Sequence, residues 1–276
     1  VPSPVQALPR ARFQLQQLLA AGDDGAAYQA RDADGPPLVM HRLRALSAER
    51  RAELERRLEL RALLDGPQFL ALEHAELTSE PAVVVTELPA ATLDALLAQG
   101  PLERDVALKL CHSLATALKA AHQVGAFHGA LSPKSVHLRE DLTVALDVLG
   151  LKTGLYPEDP RCRPPEPEVS PASDLYALGA LLSTLLTGGP PPPPDETATG
   201  VHGAPKDDAR QLAKELIDAE PSWRPSAGDA VVRLSALLDA LKATSADAPT
   251  LDPSGEPKRL GRFQLEGLIG KGAMGR

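Results

Sequence analysis

The chain of 276 residues is 43% hydrophobic and 24% charged, enough for one two-lobed domain or two small ones, while aromatics at 3% leave Leu, Val and Ala to build the core. A net charge of −8 with no basic patch argues against nucleic acid and anionic lipid as partners. Two cysteines, Cys111 and Cys162, exclude a disulfide framework, fit a reducing cytoplasm and carry no metal-ligand spacing around them.

In chain order, residues 1–11, with Pro2, Pro4 and Pro9, read as the end of a linker. Phe13 to Leu19 and Leu38 to Leu43 are short apolar stretches bounded by turn signals, which predicts strands. Ser47 to Leu64 sets Leu54, Leu58 and Leu60 to Leu64 among Arg and Glu, a helix with one charged face. Ala82 to Thr86 is a continuous β-branched run, as a buried strand requires. Thr92 to Leu97 is a short helix that starts on Thr. Val106, Leu110, Leu114, Ala117, Leu118 and Ala121 then recur at helical spacing and predict a long amphipathic helix. Two further helices are expected around Asp174–Leu186 and Ala209–Leu241. The longest apolar run, Leu175 to Leu186 with Ser183 and Thr184 inside it, is too short for a bilayer, and no leader-type segment is read. Strands first and helices later make an α+β, bilobal arrangement.

Comparison of the chain with itself sets the domain boundaries. RFQLQQLLAAGDDG from Arg12 recurs as RFQLEGLIGKGAMG from Arg262, with Phe13/Phe263, Leu15/Leu265, Leu18/Leu268, Gly22/Gly272 and Gly25/Gly275 in register. The first copy opens a domain over 12–242; residues 243–259 are small, polar and proline-rich, a linker; the second copy, 260–276, is the truncated start of another domain.

The second copy carries G-x-G-x-x-G at Gly270, Gly272 and Gly275 directly after a strand-like segment. In that context it resembles the glycine-rich loop of bacterial serine/threonine protein kinases, where glycines let backbone amides approach ATP phosphates. The first copy then resembles the rest of that family in order: PLVMHRL as the strand of V-A-I-K, VVVTELP as the strand into the hinge, AHQVGAFHGALSPKSVHL as the catalytic loop, VALDVLG leading into D-F-G, RPPE as A-P-E, SDLYALG as the central helix and EPSWRP as the late R-P motif. The resemblance implies an antiparallel β N-lobe with one helix (12–88) and a reduced, mainly helical C-lobe (89–242).

It also implies which functional groups are missing. The family's β3 lysine aligns with His41, the catalytic-loop Arg and Asp with Gly129 and Ala130, the following Lys and Asn with Ser132 and Ser135, and D-F-G with Val148, Leu149 and Gly150. Phosphoryl transfer needs a lysine on the phosphates, a base and Mg²⁺ ligands, and those positions are degenerate. Ala20 replaces the loop's first glycine, and Asp23 and Asp24 put like charge where phosphates would lie. Gly22, Gly25, Thr86, Glu87 and Leu88 remain as vestigial nucleotide-binding positions. The helix Glu that would pair the lysine aligns with Arg57. By contrast His128, Leu149, Glu166, Asp174 and Arg224 fall on architectural positions. Asp147, one residue before the D-F-G position, is expected on the opposite face of its strand. The segment after Gly150 is short for an activation loop, and Pro190 to Pro194 favour polyproline II.

The expectation is a pseudokinase domain that regulates or scaffolds an adjacent kinase domain or another signalling protein. No cofactor is expected, ATP and Mg²⁺ binding being weak or absent, and no membrane segment. The alternative is an unorthodox ATP-binding kinase or nucleotide sensor with residual activity.

Overall fold

Alternation of small and branched residues over 13–43 builds three consecutive antiparallel strands: β1 (Phe13–Gly22), β2 (Gly25–Asp32) and β3 (Pro37–Leu43). The computed structural model describes residues 12–33, 35–100, 102–139, 141, 143–155, 159–189, 208–246, 259–260 and 263–264. β4 (Leu72–Glu76) and β5 (Ala82–Glu87) complete a five-stranded sheet in the order β1-β2-β3-β5-β4. The β-branched run lies centrally between β3 and β4, with Val84 and Val85 buried, because such side chains pack best on a covered pleat.

Between β3 and β4 runs α1 (Ala48–Ala62), capped by Ser47, whose hydroxyl accepts from Arg50 N at 3.1 Å. Its Leu54 enters one sheet-face core with Leu43, Ala75, Leu77, Ala82 and Val84, and Leu149 joins them from far along the chain. The other face buries Ala30, Leu38, Met40 and Val85.

The helical half begins with β6 (Ala91–Thr92) and α2 (Leu93–Leu97), which Thr92 caps by accepting from Ala95 N. α3 (Arg104–Gln123) buries the predicted stripe from Leu110 to Ala121, with Val106 half-buried, and buries Leu108 beside it. β7 (Val136–Leu138) pairs with β6 and β8 (Val144–Leu146) in a small three-stranded sheet. α4 (Pro171–Thr187) is covered along nearly its whole length and ends at Gly188, whose φ of 71° suits a glycine terminator. The helix expected over Ala209–Leu241 is instead two, α5 (Asp208–Leu216) and α6 (Ala227–Ala246), separated by a 3-10 turn at Pro221–Trp223. Pro221 and Pro225 cannot donate within a helix, which forces the break.

α4 and α5 approach closely at Gly179. A Cβ there would lie 2.6 Å from Leu216 Cβ and 2.9 Å from Ile217 Cγ2. Gly179→Val is therefore expected to lower stability by about 1–3 kcal/mol, measured as a drop in the urea midpoint, because overpacking outweighs the helix-propensity gain. An unchanged midpoint would mean the helices separate freely.

The contacts divide the chain into two units, Val1–Leu238 and Asp239–Arg276. Within the second, β9 (Arg259–Leu260) pairs antiparallel with β10 (Phe263–Gln264). Among the described residues no helix is long and apolar enough to cross a membrane. Residues 1–11 and the run Pro190 to Pro194 lie outside the described residues. The architecture is α+β and bilobal, an antiparallel N-lobe with one helix and a helical C-lobe.

Candidate functional site

The β1–β2 turn lies against residues 150–154. Asp24 N donates to Lys152 O at 2.9 Å, and Lys152 N donates back to Asp24 Oδ2 at 2.9 Å. Arg50 Nη2 from α1 donates to that same carboxylate oxygen at 2.5 Å and to Gly150 O at 2.8 Å. Under the turn, His41 of β3 shares a 3.0 Å hydrogen bond between Nδ1 and Thr153 Oγ1, both residues being buried. Burial pushes the His41 imidazole down to about 4, outweighing the opposing pull of Asp147, so it is neutral at pH 7. Gly22 faces this segment so closely that a Cβ would sit 2.4 Å from Gly154 N. Gly25, with φ of 147°, is packed instead against Arg42 O of β3.

Arg57 occupies the helix position where the resemblance places a Glu. Its Nη1 donates to Val148 O at 3.1 Å and Phe127 O at 3.4 Å, its Nε donates to Glu53 at 3.1 Å, and its guanidinium lies 5.5 Å from the Phe127 ring centre. Two arginines one heptad apart on α1 thus point at carbonyls of the loops below. Cation-to-carbonyl bonds attach this helix to the loops below.

The loop after α3 is organised by Asp174 of α4. Its carboxylate accepts from His128 N at 2.9 Å and Gly129 N at 2.8 Å, and His122 Nε2 lies 3.0 Å away. Ala130 N donates to His128 Nδ1 at 3.2 Å, so this buried imidazole carries its proton on Nε2. Gly129 (φ of 82°) and Ala130 bring no functional group to the cleft. Ser132 N donates to Ser135 Oγ at 2.8 Å, and the Ser135 hydroxyl faces Ala130 O and Ser132 O at 3.2 Å each. Both serines are spent on their own loop.

Beyond β8, Val148 is buried at 2% exposure and Leu149 at 2% packs into the core beneath α1. Asp147 departs from the sequence expectation. It lines the same cleft as Gly22, Asp24, Ser135 and Gly150, because strand alternation stops at Leu146 and its Oδ1 turns back to accept from Leu149 N at 2.8 Å. The cleft measures about 790 Å³ and opens between α1, the β1–β2 turn and the 127–135 loop. Its carboxylate pulls up the imidazoles of His41, His128 and His137, but burial dominates and lowers all three.

At the other side, Thr86 is buried, Leu88 half-buried, and Glu87 Oε1 accepts from Arg139 Nη2 at 2.5 Å. Arg139 Nη2 also reaches Phe69 O at 3.1 Å, tying β5 to the strand pair below it. Glu166 and Arg224 form a bidentate pair at 2.6 and 2.8 Å. Gly270, Gly272 and Gly275 lie outside the described residues. Sequence reasoning placed Arg57 but missed its carbonyl partners, and it missed Arg50 and the docking of 150–154; the signal available was the Arg50/Arg57 spacing, which places both on one helix face.

No family model matches the chain. It is 26% identical over 254 residues to the probable serine/threonine-protein kinase PkwA of Thermomonospora curvata, covering 81% of this chain and 34% of that protein. It is 27% identical over 229 residues to the serine/threonine-protein kinase PknD of Mycobacterium tuberculosis, covering 76% and 33%. It is also 27% identical over 194 residues to an inactive leucine-rich repeat receptor-like serine/threonine-protein kinase of Arabidopsis thaliana, covering 62% and 30%. The chain spans about a third of the length of these curated relatives. Together with the α+β bilobal fold, these similarities make it a kinase-like protein, related in sequence to bacterial serine/threonine protein kinases.

Proposed function

We propose that this chain is a pseudokinase module that regulates or scaffolds a serine/threonine protein kinase in the cytoplasm and transfers no phosphoryl group itself. One observation carries the reading: the cleft is lined by Gly129 and Ala130 where the resembling family has its Arg and catalytic Asp, beside a neutral, buried His41 in place of lysine. Positioned charge is what phosphoryl transfer runs on, and each lost electrostatic group costs about 10²–10³ in rate, though not additively. The residues present do not fit Mg²⁺ and ATP as that family holds them. Val148 is apolar at the metal-ligand position, and Asp24 offers a carboxylate to the phosphate side.

The partner of this reading is the kinase domain whose glycine-rich loop begins with Gly270, or another signalling protein. Expression of the parent kinase with and without residues 12–242 tests it. The expected result is altered kinase activity or substrate choice on deletion; unchanged activity and choice would sink the regulatory role.

A second reading, a nucleotide-binding module with residual transfer, is favoured by Asp147, which brings a carboxylate into the cleft. It expects labelled phosphate transfer from ATP that disappears in Asp147→Asn. The pseudokinase reading expects none in either protein.

A further inference from the structure

We propose that residues 150–154 are an intramolecular strap that closes the underside of the β1–β2 turn and forms one wall of the cleft. Gly22 and Asp24 of that turn serve this strap rather than a nucleotide.

Four separate contacts seat it. The Asp24 and Lys152 main chains are linked in one direction, and the Asp24 carboxylate accepts the Lys152 amide in the other. Arg50 bridges the same carboxylate to Gly150 O, so α1, turn and strap share one ionic centre. Thr153, at 0% exposure, is locked on His41. Gly22 and Gly154 permit the approach: a Cβ on Gly22 would lie 2.4 Å from Gly154 N and 2.6 Å from Lys152 O, and one on Gly154 would lie 2.3 Å from Ala21 O.

Gly22 carries no unusual φ, so its backbone needs no glycine; only the strap requires the missing side chain. Chemically, Asp24 is an anion already seated on a guanidinium and a backbone amide, the donor types that receive a phosphate oxygen. An anion seated on these donors must displace the Asp24 carboxylate, and withdrawal of the strap breaks the Arg50–Gly150 O link that ties α1 to it, leaving Arg50 on Asp24 and Glu53. Docked and released strap are therefore the two states through which this domain can signal. This rests on the non-catalytic reading of the cleft, but amide exchange tests it without reference to activity, so the two can fail separately.

Hydrogen exchange of the whole chain, read at the Asp24 and Lys152 amides, is the test. The wild-type amides are expected to be protected. Gly22→Ala, which wedges the strap off, is expected to speed exchange at both about tenfold or more, with α3 and α4 unchanged. Asp24→Ala, which removes the ionic centre without adding bulk, is expected to do the same at Lys152, and it decides the matter if Gly22→Ala does not fold. Wild-type amides that exchange at the rate of an unstructured peptide would overturn the proposal. So would Lys152 protection that survives Asp24→Ala.

Discussion

Arg224→Ala is expected to lower the thermal midpoint by about 10 °C, the largest single-residue loss in the fold. The Arg224 side chain has 0% exposure and its Nη1 and Nη2 donate to the two oxygens of Glu166. Its Nε donates to Asp218 O at 2.8 Å, Nη1 also reaches Ala172 O at 2.9 Å, and the guanidinium lies 5.1 Å from the Tyr176 ring centre. Removal strips two carbonyls of this donor and leaves the partly buried Glu166 carboxylate with Ser173 Oγ, at 3.4 Å, as its side-chain partner. Breaking such a pair from one side costs about 3–5 kcal/mol, and a domain of this size loses about 2–4 °C per kcal/mol. Burial raises the Glu166 carboxyl, but the Arg224 hydrogen bonds outweigh it and hold the group below its usual range. Arg224→Lys should recover little, because an ammonium cannot serve both oxygens and the ring at once. Loss of less than about 1 kcal/mol by calorimetry would show that the pair is replaceable by water.

Stability should also fall steeply on mild acidification, well before carboxylates titrate. Burial lowers His41 to about 4 and His137 to about 4, in both cases against the upward pull of Asp147. In the unfolded chain these imidazoles titrate near the ordinary value of about 6.5. Between the two values the unfolded chain binds more protons than the folded one. Stability is therefore complete above the unfolded value and is lost as pH drops through the window. Each histidine contributes at most about 1.4 kcal/mol per pH unit there, so the pair costs about 2 kcal/mol between pH 6 and pH 5. Urea midpoints at pH 7, 6 and 5 measure this, and His41→Gln should make the slope shallower. A flat midpoint from pH 7 to pH 5 would mean that both imidazoles reach water.

The fold was legible where local physics and global packing agree. The β-branched run at 82–86 could only be a covered strand, and the α3 stripe from Val106 to Ala121 could only face a core. The proline pair Pro221/Pro225 was equally visible, yet apolar periodicity on both sides carried one helix across it. Asp147 was misplaced for a related reason: alternation holds inside a strand, and β8 ends one residue earlier. The strap lay beyond reach because its contacts join residues more than a hundred positions apart, Asp24 to Lys152 and His41 to Thr153. Nothing in the composition of GDDG says whether its acidic residues repel a phosphate or hold a backbone. Arg57 was visible as a charge reversal, but its acceptors are backbone carbonyls of distant loops, which side-chain identity does not encode.

On the proposed reading the cleft holds no nucleotide. Thermal unfolding with and without millimolar ATP and Mg²⁺ tests it most directly, since a ligand at a hundredfold excess over its Kd stabilises the folded state by about 2.7 kcal/mol. One cooperative transition whose midpoint does not move is the expected result. A Mg²⁺-dependent rise in that midpoint, lost in Asp147→Asn, would contradict it and make the cleft a working nucleotide site.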